Sequence, residues 1–535
     1  MQRIFLFIVI VFSALRVSAQ QPKLVVGIVI DQMRQDYLYR YWQRFSDSGF
    51  KRVVNGGYMF ENAHFNYVPT YTGPGHASIY TGTTPAIHGI VANDWYSREQ
   101  GKNIYCVDDS AYTGSGNTAG NGKSPKNLKT TTITDQLRLA SMFKSKVVGI
   151  SLKDRGAILP AGHSANAAYW FDTKTGDFAS STFYMNELPQ WMQQFNNKKL
   201  PDSCLQSTWE TLYPIETYTA SAPDDNKYES AFDKDASPVF PYDLKKYKSK
   251  GYSLLNSTPY GNQLLAEVAK ATIKGEQMGS DAITDFLCVS FSATDYAGHN
   301  FGPQAVELED MYLRLDLELA AFFDYLDKTI GAGEWTVFIT ADHGGNDVPA
   351  LLADHKIPSG LIEAKAVEKA AKTALKSKYG DSLVLAFENE QFYLDTEKIR
   401  TLKLNECEVQ EFAGKTASTF IGIARYYTTC NFARGFNSPL EMETSLYRGW
   451  NPKQSGDVLL LTEPGWMNYG TKGTTHGSPW AYDTRVPVLF YGNGIKQGKS
   501  TERISITDIA PTLTILLKIQ FPNGCIGQPL DILKY

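Results

Sequence analysis

The stretch Tyr71-Thr72-Gly73-Pro74-Gly75-His76-Ala77-Ser78 sets a hydroxyl at the entry of a helix, among small residues. Pro74 suits a first helical turn, and the free N–H groups of such a turn attract a phosphate or a threonine alkoxide. A threonine there is, by itself, only an N-cap. Its chemical meaning comes from Asp and His residues elsewhere in the chain. Asp295-Tyr296-Ala297-Gly298-His299 spaces a carboxylate and an imidazole one helical turn apart. On one face they can ligate a divalent metal, although a lone pair of this spacing also describes a surface ion pair. In Asp342-His343-Gly344-Gly345 the two groups are adjacent. Adjacent side chains of an extended chain point apart and could serve different metals, unless the glycines turn the backbone. His476 stands in Gly473-Thr474-Thr475-His476-Gly477-Ser478, where small residues admit a bulky ligand. Lys153 and Arg155 flank Asp154, and on an extended segment both would point one way, a point charge and a fork for phosphoryl oxygens. Asp354-His355 reads as helix surface, and His64, His76, His88 and His163 read as structural.

Four apolar, mostly β-branched runs deliver these residues. Leu24–Ile30 ends at Asp31, Lys146–Leu152 at Lys153, Phe286–Phe291 shortly before Asp295, and Trp335–Thr340 just before Asp342. Continuous runs of this kind suit strands buried on both faces of a parallel sheet, whose ligands bind at the carboxyl ends. The expected class is therefore α/β, with a doubly wound, mostly parallel central sheet flanked by helices and interrupted by inserted cap segments. Amphipathic helices are expected at about Met33–Phe45, Gln304–Ile330 and Ala364–Lys378. Residues 109–127, rich in Gly, Ser, Thr and Asn, read as a surface loop. Insertions are expected at about 156–275 and 350–455, the second holding a strand-like Leu383–Tyr393. Val486–Gly492 returns to the sheet, and a helix starting near Asp508 closes the chain.

The 535 residues are 43% hydrophobic and 20% charged, with a formal net charge of -4. That length supports a large core, and the balance excludes nucleic acid or anionic membrane as a main partner. Arg3, the apolar run Ile4–Leu15 and Val17-Ser18-Ala19 describe a secretory signal peptide over residues 1–19, with 20–535 as the exported chain. No later run is long enough to span a bilayer. The expected location is the periplasm and the expected state a monomer. Cys106, Cys204, Cys288, Cys407, Cys430 and Cys525 contain no C-x-x-C pair. Some should pair in an oxidising compartment, but spacing does not choose among the connectivities. Cys288, inside an apolar run, reads as a buried thiol.

The ordered set Asp31, Thr72-Gly-Pro-Gly-His, Asp295-x-x-x-His299, Asp342-His343 and His476 resembles the alkaline phosphatase superfamily of two-metal hydrolases. Asn93-Asp94-Trp95 and Lys153-Asp154-Arg155-Gly156-Ala157 narrow the resemblance to its periplasmic PafA-type alkaline phosphatases, over nearly the whole exported chain. The resemblance implies two Zn²⁺ per chain, one held by Asp295, His299 and His476, the other by Asp31, Asp342, His343 and the Thr72 oxygen. It implies Thr72 as nucleophile, a phosphothreonine intermediate, and Asn93, Lys153 and Arg155 on the phosphoryl group of a broad range of small phosphate monoesters. Mixed N/O donors at strand ends fit catalytic zinc, and two metals clamp the attacking and leaving oxygens of an in-line displacement. Two other readings stand beside it: a phosphodiesterase or nucleotide pyrophosphatase of the same superfamily, and an exported zinc-binding protein without catalysis.

Overall fold

A computed structural model describes residues 21–116, 121–233, 237–433 and 441–534. The expected signal peptide lies outside the described residues. The chain builds a twelve-stranded mixed sheet. Its centre is parallel, in the order Trp335–Thr340, Leu24–Ile30, Asp285–Phe291, Val147–Ser151, Ala167–Asp172. Every residue of Leu24–Ile30 and Asp285–Phe291 is buried, as β-branched runs covered on both faces require. Cys288 is one of them, a buried free thiol. Toward both edges the sheet turns antiparallel: Arg485–Gly492 and Tyr58–His64 on one side, Asp177–Ser181 and Asp108–Ser115 on the other. The α/β class with a parallel centre is as expected, and the helices Pro259–Gly275 and Asp154–Ala161 pack against the central strands.

Several local expectations change. Residues 109–127 are not a loop: Asp108–Ser115 and Asn121–Lys123 pair as a hairpin that joins the sheet edge. Polar composition marks an edge with a solvated face as readily as a loop. Met33–Phe45 is not one helix but two short turns, Tyr37–Arg40 and Trp42–Arg44. There Tyr37 and Tyr41 pack on Tyr312, and Arg34 is tied to Asp36 and Asp347, so tertiary contacts override periodicity. Within 156–275, Ala167–Asp172 and Asp177–Ser181 are strands of the central sheet. Leu383–Tyr393 is a hairpin of Val384–Glu388 and Gln391–Leu394, turning at Asn389 and Glu390.

That hairpin belongs to a second sheet of four strands, completed by Val458–Thr462 and Ile423–Thr428. Helices Ala364–Tyr379 and Glu406–Ala417 cover it around a separate core that includes Val367, Leu375, Phe392, Val409 and Val458. The disulfide Cys407–Cys430 ties this unit, and Cys106, Cys204, Cys288 and Cys525 are free. Its hairpin reaches back to the segment after the Thr72 helix: Asn389 Nδ2 donates to Asp94 O at 2.7 Å and Asn103 Nδ2 to Glu388 Oε1 at 2.6 Å.

Candidate active site

Register brings the chemistry to one edge. Ile30 lies opposite Phe291, Val29 opposite Thr340, and Ser290 opposite Ser151, so the residues after each strand emerge together. They are Asp31, Asp295, Asp342 and Lys153, all buried. Two groups of donor atoms result, each with its atoms within 4.8 Å of one another: Asp31, Asp342 and His343, and Asp295, His299 and His476. In the second, the helix Ala293–Phe301 stacks His299 one turn after Asp295, with Nε2 3.2 Å from Oδ1. His476, from its distant loop, sets Nε2 3.7 Å from the same oxygen.

The histidines are oriented for ligation. Nδ1 of His343 faces Gly344 O at 2.9 Å, Nδ1 of His299 faces Thr474 O at 2.7 Å, and Nδ1 of His476 faces Thr70 O at 2.7 Å. A carbonyl only accepts, so each Nδ1 carries a proton and each Nε2 is the nitrogen turned toward the carboxylates. Burial lowers His299, but Asp295 raises it to a net value above an ordinary imidazole. In the first group Asp31 Oδ1 and Asp342 Oδ2 are buried without a hydrogen-bond partner, 3.4 and 3.6 Å from His343 Nε2. Orphaned carboxylate oxygens beside neutral imidazole nitrogens are what a divalent cation of borderline hardness requires. The residues fit the metals.

Thr72 opens the helix Thr72–Thr81, with Tyr71 as N-cap. It is buried rather than at a loop surface, and its Oγ1 lies 3.5 Å from His343 Nε2 and from Arg155 Nη2. Gly73 N donates to Asn93 Oδ1 at 2.8 Å, which turns the amide so that Nδ2 is left as a donor. Gly75 is required by close approach: a Cβ there would stand 2.3 Å from Asp342 O.

Lys153 and Arg155 do not alternate on an extended segment. Lys153 caps and Arg155 enters the helix Asp154–Ala161, and they separate in role. Lys153 Nζ lies 2.5 Å from Asp31 Oδ2 and 2.6 Å from Asp295 Oδ2, joining one carboxylate of each metal group. Arg155 turns toward Thr72. Its Nη1 donates to Tyr105 Oη at 3.0 Å, Tyr105 donates to Asp154, and Asp154 faces Lys123 at 3.4 Å. The buried Arg155 Nε has no partner.

The electrostatics follow from burial among like charges. Burial, then Asp295 and Asp342, push the Asp31 carboxyl well above the carboxylate range. Burial also raises Asp342 and Asp295, but His343 and His76 beside the first, and His299 and Lys153 beside the second, bring both below that range. Burial lowers His476 well below an ordinary imidazole, and His343 is lowered too, so both stay neutral and able to ligate.

Asp31, Thr72, Asn93, Lys153, Arg155, Asp295, His299, Asp342, His343 and His476 thus gather at one sheet edge. Three further residues belong with them. His76, read as structural, holds Nδ1 2.9 Å from Thr72 O and 3.3 Å from Asp342 Oδ2, with Nε2 on Ser290 Oγ at 3.0 Å. Gln32 follows Asp31 in the left-handed region (φ 63°) and bridges the two groups. Its Nε2 donates to Asp295 Oδ1 at 2.7 Å and its backbone N to Asp342 Oδ1 at 3.2 Å. Tyr105 is the third. Gln32 and His76 adjoin motif residues in sequence, whereas Tyr105 carries no sequence signal. Asp354 and His355 lie on a short exposed helix end away from the cluster.

Residues 25–486 match the family described as Type I phosphodiesterase / nucleotide pyrophosphatase. A Myroides odoratus protein named "Calcium-transporting ATPase" is 48% identical over 96% of this chain and 94% of its own. "Alkaline phosphatase PafA" of Elizabethkingia meningoseptica is 45% identical over 96% of this chain and 94% of its own. The crystal structure of wild-type alkaline phosphatase PafA superposes with a TM-score of 0.92, at 45% identity, over 96% of this chain and 99% of that one. Among the described residues no helix is long and apolar enough to cross a membrane.

Proposed function

The chain belongs to the Type I phosphodiesterase / nucleotide pyrophosphatase family, and within the alkaline phosphatase superfamily to its PafA-type alkaline phosphatases, so that it is a phosphoric monoester hydrolase; on that premise we propose a zinc-dependent reaction through phosphothreonine at Thr72. The observation that carries this reading is the pair of donor groups flanking a buried, helix-entry threonine whose oxygen also faces Arg155. Asp31, Asp342 and His343 would hold one Zn²⁺ with Thr72, and Asp295, His299 and His476 the other. When bound, the pair supplies an activated threonine oxygen, an activated water and charge to oppose the attacking and leaving oxygens.

The chain's own residues then do the following. The N–H groups of the Thr72 helix entry and Asn93 Nδ2 receive equatorial phosphoryl oxygens. Arg155, with Nε and Nη2 unspent on protein carboxylates, neutralises the second charge of a monoester dianion. Lys153 holds Asp31 and Asp295 in place between the metal groups. Thr72 Oγ bonds to phosphorus as the ester oxygen leaves, and water then cleaves the Thr72–phosphate bond to release inorganic phosphate. The site grips the phosphoryl group, which supports a broad range of small monoesters.

The reading extends to a signal peptide over 1–19 and a monomeric periplasmic enzyme over 20–535, with an insertion at about 350–455 and a second confined to the part of 156–275 between the sheet strand Asp177–Ser181 and the helix Pro259–Gly275. The disulfide Cys407–Cys430 supports an oxidising compartment. The family description favours one rival, a phosphodiesterase. Turnover of a chromogenic aryl phosphate monoester, its matching diester and its sulfate, each with and without chelator, separates the readings. Monoester turnover abolished by chelation is expected; a faster diester would overturn it, and no turnover at all would leave only zinc binding.

A further inference from the structure

Arg155 is held by hydroxyls rather than by a carboxylate. Its Nη1 donates to Tyr105 Oη at 3.0 Å, and its Nη2 lies 3.5 Å from Thr72 Oγ1. The neighbouring acid, Asp154, is engaged elsewhere. Its Oδ1 accepts from Tyr105 Oη and from the backbone N of Arg155 at 2.6 Å, and its Oδ2 faces Lys123 Nζ at 3.4 Å. A phenol both accepts and donates, so it can stand between a guanidinium and a carboxylate and bond each. A direct Arg–carboxylate fork would fix the guanidinium equally well but would neutralise it. Arg155 Nε has no hydrogen-bond partner among the described residues, so the Tyr105 bond carries most of the task of holding the fork.

Tyr105 is itself firmly placed. It ends the strand Lys102–Tyr105, which pairs antiparallel with Asp94–Ser97, and it lies opposite Asp94. Cys106 N donates to Asn93 O at 2.8 Å, so one hairpin carries both Tyr105 and the Asn93 amide that meets Gly73 N. Lys123 Nζ stands over the Tyr105 ring, 4.6 Å from its centroid, and is tied in turn to Asp108. Burial raises the phenol, Arg155 opposes it and Asp154 adds to it, for a net value well above an ordinary tyrosine. The group therefore stays a neutral hydroxyl at alkaline pH and keeps both bonds.

We propose that Tyr105 is a positioning residue for the monoester reaction: its hydroxyl aims Arg155 at the phosphoryl group beside Thr72 and separates it from Asp154. Through Arg155, Tyr105 thereby sets the preference for the dianion of a monoester over the monoanion of a diester. The inference rests on the phosphatase reading above and gives Tyr105 no contact with substrate.

The test is a double-mutant cycle on the zinc-loaded enzyme, with Y105F, R155A and the double variant, read with an aryl phosphate monoester and its matching diester. Y105F keeps the ring and removes the relay. Its monoester kcat/KM should fall about tenfold, as for one hydrogen bond to a charged group, and its diester kcat/KM far less. In the R155A background the same substitution should change the monoester value by less than about twofold, because the relay then has nothing to aim. Equal losses on both esters, or a full tenfold loss on top of that of R155A, overturn the proposal. An unchanged thermal melt and zinc content show that fold and metal site survive in Y105F. If Y105F does not fold, D154N, which removes the charge anchoring the hydroxyl, should show the same selective loss, and equal losses overturn the proposal there too. Calorimetry with inorganic phosphate separates the inference from the phosphatase reading. Affinity about tenfold weaker in Y105F, and no weaker in the double variant than in R155A, supports the relay even if no ester turns over. Unchanged affinity in Y105F, or no binding to the wild type, overturns it even if monoesters do turn over.

Discussion

At the scale of single residues, the site divides labour that sequence alone had merged. Lys153 and Arg155 read as one phosphate-gripping pair, yet Lys153 Nζ lies on the carboxylates of Asp31 and Asp295, and Arg155 faces Thr72. Their substitutions should therefore differ. Arg155→Ala should lower monoester kcat/KM by about 10- to 100-fold more than diester kcat/KM, since a hydrogen bond to a charged group contributes roughly 1.5–3 kcal/mol. Lys153→Ala should lower both esters together and reduce zinc retention, because it leaves two buried carboxylates facing each other; equal monoester-to-diester ratios in both variants would contradict this division. Thr72→Ala should abolish turnover and Thr72→Ser should leave part of it. Acid quench with ³²P-labelled substrate should trap label on Thr72, and label on another residue would refute the nucleophile. Asp31, Lys153, Arg155, Asp295, His299, Asp342 and His343 were legible because each follows a buried central strand in a short motif of chemically capable types, whereas Thr72 opens a helix, His476 stands in a loop, and Asn93 was legible only through the resemblance. The reach of Lys153 was not, since it depends on where Asp31 and Asp295 lie in three dimensions. Tyr105 was hidden for the same reason: its neighbours Asp154 and Arg155 are about 50 positions away.

Elements were legible where one pattern dominated. The four apolar runs are central strands, Gln304–Ile330 contains the helix Val306–Leu326, and Ala364–Lys378 matches the helix Ala364–Tyr379 to within one residue. They failed where context decides, as at Met33–Phe45 and at the 109–127 hairpin. The turn after the Asp154–Ala161 helix makes a prediction of its own. His163 Nδ1 lies 3.0 Å from Asp135 Oδ2 and Nε2 lies 3.0 Å from Leu128 O. Both partners accept, so only the imidazolium satisfies both bonds. Burial lowers its pKa, yet Asp135 raises it to a net value above the ordinary 6.5; burial raises Asp135, yet His163 holds it below the ordinary 3.8. The pair's stabilisation is thus whole between those ordinary values. It fades as pH rises through the raised histidine value and as pH falls through the lowered aspartate value. The melting temperature of wild type minus that of His163→Gln should be largest near pH 5 and shrink toward pH 9. A difference that is flat with pH would remove the ion pair from the account.

For the whole molecule, two metals per chain are expected, with zinc restoring activity after chelation better than magnesium because three imidazoles are among the ligands. Metal analysis of the purified active protein checks the count, and active protein without a transition metal would refute it. Metals that bind only the folded chain should also raise the melting temperature, by mass action. Light scattering should give one chain per particle, near 59.6 kDa less the leader. The donor groups are widely spread along the chain, from Asp31 to His343 in one and from Asp295 to His476 in the other. A polypeptide threaded across a membrane from its N-terminus presents neither set complete until most of its length has crossed. If the chain is exported in this way, as proposed, metal capture would be postponed to the far compartment, where the last donor to arrive would be His476. The order of the ligands along the chain would then act as a timer: cytosolic metal would meet only fragments of a site, and the selection of the ion would pass to the compartment in which the protein folds.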